Sequence, residues 1–229
     1  MKGERGDKVI SQKVAQLKAK IAGGNPQGEK VTLVAATKMQ TAEDINLAID
    51  AGVDAVAENK VQEFREKTAL LKPCPQHFIG HLQTNKVKYL VGHIDLFHSC
   101  DRDALADALA EQSLKKGVVS KVLIQVNIGD EESKGGYAYD EAFEVALRLS
   151  KKAGLQVKGL MAMLPESEDE ALLKELALKM RALYERVKEA IDGVEYLSMG
   201  MSGDYALCIE CGSNMIRVGS TIFGRRIYG

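Results

Sequence analysis

Short apolar runs alternate along this chain with longer segments of helical periodicity. Strand-like runs fall near 31–37, 54–57, 76–80, 94–99, 120–128, 156–163, 195–199 and 215–218. They are apolar at successive positions rather than at every second one, the pattern of strands buried on both faces. Helical patterns fall between them, near 42–51, 60–70, 84–91, 102–116, 140–152, 168–191 and 204–211. An amphipathic helix over 7–22 precedes the first strand, and Gly23-Gly24-Asn25-Pro26 ends it. Thr41-Ala42-Glu43-Asp44 and Asp101-Arg102-Asp103 read as helix starts, and Gly52, Gly117, Gly154 and Gly193 as helix stops. Eight strands alternating with helices predict an α/β fold, a single-domain (β/α)8 TIM barrel with an extra N-terminal helix over 1–229. A doubly wound open sheet is the alternative.

Composition narrows the functional classes. Charged residues are 28% of the chain and nearly cancel, with a formal net charge of -1. That balance argues against nucleic acid and membrane surfaces as partners. No apolar run approaches the roughly 18 residues of a membrane span. The charged start Met1-Lys2-Gly3-Glu4-Arg5 lacks an apolar signal core, so a cytoplasmic location is expected. Cys208-Ile209-Glu210-Cys211 has the spacing of a metal or redox pair but no further ligands nearby. Cys74, Cys100, Cys208 and Cys211 are therefore expected to be inert thiols, with no metal site.

The candidate chemistry lies at strand ends, where such barrels build their sites. The run Val31–Thr37 stops on Lys38, a charge that is costly there unless paired, solvated or used. Gly200-Met201-Ser202-Gly203 follows the seventh strand, and Arg217-Val218-Gly219-Ser220-Thr221 spans the end of the eighth. Small residues at those two positions suit a phosphate held by backbone amides. A lysine with an anion cradle points to a Schiff base with a phosphorylated carbonyl compound, of which pyridoxal 5'-phosphate (PLP) is the commonest. Bland alternatives exist for each residue. Lys38 can be a snorkelling surface lysine, His77 and His81 structural, and Arg217 an ion-pair partner of Glu210 or Asp204. The methionines at 161–163 and 199–201 can be core filler. The Gly-rich loop Gly129–Gly136 reads as a mobile flap or a solvated loop.

Several strings carry a resemblance. They are Ala36-Thr37-Lys38, Glu58-Asn59-Lys60-Val61-Gln62-Glu63, His77-Phe78-Ile79-Gly80-His81-Leu82-Gln83-Thr84-Asn85-Lys86, Ser198-Met199-Gly200-Met201-Ser202-Gly203-Asp204 and Arg217-Val218-Gly219-Ser220. Over about residues 8–228 the chain resembles the YggS/PROSC family of PLP homeostasis proteins, built like the N-terminal barrel of alanine racemase. The resemblance implies that Lys38 holds PLP as a Schiff base and that Asn59 sits beside the cofactor ring. It implies a phosphate cradle of Ser202, Gly219 and Ser220, with Thr221 beside them, and Arg217 facing the pyridine nitrogen. Ser198 and Met199 are expected on the pocket wall and His81 near the cofactor. One departure is Ala57-Glu58-Asn59-Lys60, where the family pattern is Gly-Glu-Asn-Tyr.

The expected role is PLP homeostasis and carriage rather than turnover, so no catalytic residue is assigned. An arginine at the ring nitrogen weakens PLP as an electron sink. Racemisation also needs a second acid/base on the opposite face, which a tyrosine from a separate domain supplies in alanine racemase. This chain ends at Gly229, directly after the barrel pattern. The rival readings are a PLP-dependent racemase or decarboxylase acting on amino acids and a PLP-free aldolase acting on a sugar phosphate. Expected partners are PLP and PLP-dependent apo-enzymes, with the protein a monomer or weak dimer.

Overall fold

The computed structural model describes residues 3–131 and 134–224. Its strands are β1 (Thr32–Ala36), β2 (Ala55–Glu58), β3 (Gln76–Phe78), β4 (Leu96–Cys100), β5 (Ser120–Asn127), β6 (Tyr137–Ala138), β7 (Leu155–Ala162), β8 (Tyr196–Ser198) and β9 (Met215–Val218). All but β6 form a parallel ring in chain order, and β9 pairs back onto β1 to close it. The closure rules out the open sheet and establishes the TIM barrel. The eight strands coincide with the eight apolar runs. The two-residue β6, which pairs with the end of β5, has no sequence signal of its own.

Alternation along each strand divides the core. Val34, Ala55, Ala57, Leu96, Leu123, Met161 and Met215 fill the barrel, and the outward-facing residues pack beneath the helices. The N-terminal helix α1 (Gly3–Ile21) buries Ile10, Val14, Leu17 and Ile21. Their spacing of four, three and four residues makes one stripe. It lies in the same cluster as Leu33 of β1 and Ile216 of β9, so the extra helix covers the seam where the barrel closes.

The remaining helices are α2 (Ala42–Asp50), α3 (Val61–Lys67), α4 (Asp103–Lys116), α5 (Tyr139–Ser150), α6 (Glu170–Ala190), α7 (Tyr205–Glu210) and α8 (Ser220–Phe223). Thr41 caps α2 by accepting the Asp44 N–H at 3.2 Å. Gly52, Gly117, Gly154 and Gly193 all have positive φ, as expected of helix stops. The helical pattern near 84–91 is a 3-10 helix over Thr84–Tyr89. One local expectation fails. Asp101 does not cap α4; Arg102 occupies the cap position with no side-chain bond, and the Asp101 carboxylate is taken by Arg102 and His81.

The loop after β5 is not a free flap at its described ends. Asn127 Nδ2 donates to the carbonyls of Glu131 and Lys134, at 3.0 and 3.1 Å. Gln125 Nε2 reaches the Gly135 carbonyl at 2.6 Å, and Lys134 Nζ reaches the Leu164 carbonyl at 3.0 Å. Glu132 and Ser133 lie outside the described residues.

Candidate functional site

A cavity of about 580 Å³ opens at the C-terminal ends of the strands. Its wall is built from Ala36, Lys38, Asn59, Ile79, Met161, Met163, Met201, Ser202, Gly203, Arg217, Gly219 and Ser220. Six of the ten residues singled out in the sequence converge here: Lys38, Asn59, Ser202, Arg217, Gly219 and Ser220. Arg217 comes from β9, Ser220 from the start of α8, and the others from the loops after β1, β2, β8 and β9.

Lys38 leaves β1 on a turn held from behind. Met39, the next residue, has a φ of 63°, which a side chain bearing a Cβ adopts only at a cost. Its N–H is accepted by Glu63 Oε2 at 2.7 Å. Lys67 Nζ ties Glu63 to Glu58 and to the Thr37 carbonyl, with contacts of 2.7, 2.9 and 3.3 Å. Thr37 Oγ1 also donates to Glu58, at 2.7 Å. Burial alone would raise the Glu63 carboxyl, but Lys67 and the Met39 N–H outweigh it and hold it below the usual range. The carboxylates near the end of β1 are thus paired with Lys67, although Glu58 Oε2 has no hydrogen-bond partner among the described residues. Lys38 takes part in none of the ion pairs among the described residues and is left to the cavity.

Asn59 is brought in by a close backbone approach. A Cβ on Gly80 would lie 2.0 Å from the Asn59 carbonyl oxygen, so only glycine lets the ends of β2 and β3 meet there. The wall beside it is Ile79. On the opposite side, Ser202 Oγ accepts the N–H of Gly219 at 3.2 Å and of Thr221 at 3.3 Å. Two backbone donors therefore converge on one point of the wall, flanked by Gly203 and Ser220. A convergence of amides at a strand-to-helix turn is what an anion such as a phosphate needs.

Arg217 is 4% exposed, at the inner end of the cavity. It donates through Nη1 to Ser198 Oγ at 2.6 Å and through Nη2 to the Ala162 carbonyl at 3.0 Å. Neither Glu210 nor Asp204 pairs with it, so the ion-pair reading fails. Burial lowers its pKa to about 10. Among the described residues lining the cavity, Lys38 and Arg217 are the titratable ones.

Four of the ten residues fall off the wall. The His81 side chain is 65% exposed and turns to Asp101, with Nδ1 2.9 Å from Oδ2. That carboxylate is the stronger partner available, and Ile79 occupies the inward position. Ser198 is fully buried beneath Arg217 rather than facing the cavity. Met199 is also fully buried, in the cluster under the outer helices, because it follows Ser198 and so takes the opposite face. Thr221 contributes its backbone N–H but not its side chain. Ile79 and Ala36 were not anticipated on the wall, nor was His98 beneath it. Strand parity was the available signal, and three-residue β3 is too short to set it from sequence.

Cys208 and Cys211 are buried thiols, and burial raises both, as it raises Cys100 to about 12. No group of His, Cys, Asp and Glu among the described residues could hold a metal ion.

The sequence model described as alanine racemase, N-terminal domain, matches residues 10–226. The chain belongs to that family. It is 38% identical over 230 residues to the pyridoxal phosphate homeostasis protein of Pasteurella multocida, covering 96% of this chain and 99% of that one. The protein of the same description from Escherichia coli K12 is 36% identical over 231 residues, covering 96% and 97%. PipY of Synechococcus elongatus, solved with PLP bound, superposes with a TM-score of 0.82 at 30% identity, over 94% of this chain and all of that one. Alanine racemase of Corynebacterium glutamicum shares the fold, with a TM-score of 0.71 at 16% identity over 61% of its own chain.

Proposed function

We propose that this protein binds PLP in the upper cavity as a Schiff base on Lys38 and serves to hold and deliver it inside the cell rather than to turn over a substrate. The observation that carries the reading is the arrangement of three groups around one cavity. An amine free of ion pairs, a pair of converging amides and a buried arginine match an aldehyde, a phosphate and a pyridine nitrogen. The volume is ample for a ligand of that size. PLP would supply a reactive aldehyde and a ring able to take up electrons.

The residues of the chain have distinct tasks in this reading. The Glu58–Lys67–Glu63 group holds the turn that presents the Lys38 amine. Gly219, Ser220, Thr221 and Ser202 bind and orient the phosphate. Asn59 and Ile79 bound the ring, and Arg217 donates to its nitrogen. A carrier needs binding and reversibility but no second acid/base. Among the described residues the cavity wall offers none besides Lys38 and Arg217. The relatives described as PLP homeostasis proteins support the same role.

One barrel spanning the family match supports a single-domain protein. Free buried thiols suit a reducing, cytosolic compartment. PLP-dependent apo-enzymes are the natural recipients, with the protein a monomer or weak dimer.

The test is borohydride reduction after PLP loading, followed by peptide mapping. The expected result is one pyridoxyl adduct, on Lys38, absent in Lys38→Ala. A wild-type adduct on another lysine, or none, overturns the reading.

A further inference from the structure

The inside of this barrel is not wholly apolar. Arg217, Ser198, His98 and His77 form a continuous buried chain across it. Arg217 Nη1 lies 2.6 Å from Ser198 Oγ, Ser198 Oγ 3.0 Å from His98 Nδ1, and His98 Nε2 3.0 Å from His77 Nδ1. Ser198 and His98 are fully buried, and His77 is 7% exposed. The upper end of the chain is the wall of the PLP cavity. Its lower end is a second cavity of about 420 Å³ at the N-terminal mouth of the barrel, where His77 is joined by Asp95, Lys121 and Lys158.

The donors and acceptors in this chain fit one direction. A guanidinium only donates, so Ser198 Oγ accepts from Arg217. The single hydroxyl proton then goes to His98 Nδ1, the one other partner Ser198 has. His98 must carry its proton on Nε2 and donate it to His77 Nδ1. His77 in turn carries its proton on Nε2. The opposite direction would leave the Ser198 proton without an acceptor in a buried site, which is costly. Burial also keeps both rings neutral. It lowers His77 to about 4 against the opposing charge of Asp95, and it lowers His98 well below the usual value, aided by His77 and Arg217.

We propose that His98, with His77 behind it, is a positioning residue for Arg217: the one-way chain through Ser198 holds the guanidinium in register with the pyridine nitrogen. The proposal rests on the PLP reading of the upper cavity. Without the chain, Arg217 retains its charge and the Ala162 carbonyl but loses the acceptor that fixes Nη1. The guanidinium would then be held at Nη2 alone and could turn about that single bond. Neither histidine touches the cofactor, and neither moves a proton to it.

Two measurements test this. The first uses PLP-free protein: ¹⁵N-NMR of the imidazoles at pH 7 should show His77 and His98 both neutral with the proton on Nε2. A proton on Nδ1, or an imidazolium, at either ring overturns the chain. The second compares Ser198→Ala, His98→Leu and His98→Asn after PLP loading. Asn Oδ1 can replace Nδ1 as the acceptor for Ser198. The expected result is a PLP affinity lowered about tenfold and a shifted absorption band in Ser198→Ala and His98→Leu, with the borohydride adduct still on Lys38. His98→Asn should restore both. Should His98→Leu fail to fold, Ser198→Ala and His98→Asn decide the matter. Wild-type affinity and band in Ser198→Ala overturn the proposal, as does a His98→Asn as impaired as Ser198→Ala. A wild-type protein that takes up no PLP overturns the functional reading instead, while the NMR result still judges the chain.

Discussion

The Glu63 carboxylate accepts the backbone N–H of Met39 at 2.7 Å, and Met39 stands at a φ of 63° immediately after Lys38. The carboxylate therefore fixes a strained turn directly beside Lys38. Glu63→Ala should remove a charge-assisted bond and release that turn. The expected cost is about 1–3 kcal/mol of stability, read from denaturant unfolding, with slower formation of the Lys38 adduct. Unchanged stability and adduct rate would show that the turn holds itself.

The Gly219 N–H meets Ser202 Oγ at 3.2 Å, at the place proposed for the phosphate. A Cβ there would meet the Ala36 carbonyl oxygen at 3.3 Å, a contact with little room to give. Gly219→Val should therefore lower PLP affinity by about one to two orders of magnitude, on the order of 1.4–3 kcal/mol. Pyridoxal without its phosphate should bind much more weakly than PLP to the wild type. Equal affinity for the two ligands would remove the phosphate cradle from the site.

The loaded protein should not racemise amino acids efficiently. With Lys38 and Arg217 the titratable groups on the described cavity wall, a proton taken from a bound amino acid can return on one face only. Incubation with L-alanine in deuterated water should give slow label exchange at most, with negligible D-alanine. Inversion at rates on the order of 1–10³ per second would restore the enzyme reading.

Acid stability should depend on Glu29. Burial alone would raise this carboxyl, but hydrogen bonds from Arg181 and Lys188, each 2.7 Å long, and from Asn25 hold it at about 2. Its folded pKa lies below its unfolded value, so its contribution is complete above about pH 4.5 and fades as the pH falls toward 2. The Tm gap between wild type and Glu29→Gln should be largest at neutral pH and close over that interval. A gap independent of pH would mean the carboxylate charge is not what matters.

The strand order and most of the site were legible in the sequence for a physical reason. A parallel strand buried on both faces is mostly apolar, so all eight barrel strands announced themselves. A charge ending such a run stands out, which exposed Lys38, whereas Arg217 lies within its strand and was marked by the family resemblance. Small residues after the last two strands marked Ser202, Gly219 and Ser220 in the same way. What sequence could not supply was which side chains meet. Three-residue β3 fits either parity, so nothing in the chain said that Ile79 would face the cavity. Nor did anything say that His81 would turn to Asp101, twenty positions away on another strand end. His98 sits in a run of buried residues that reads as ordinary core. It becomes part of a buried polar chain only because closing β9 onto β1 and β4 onto β5 places Arg217, Ser198, His98 and His77 inside one barrel. Residue type and spacing determined the elements and the chemistry at their ends; closure of the ring, a contact between distant segments, decided which of those groups share a cavity.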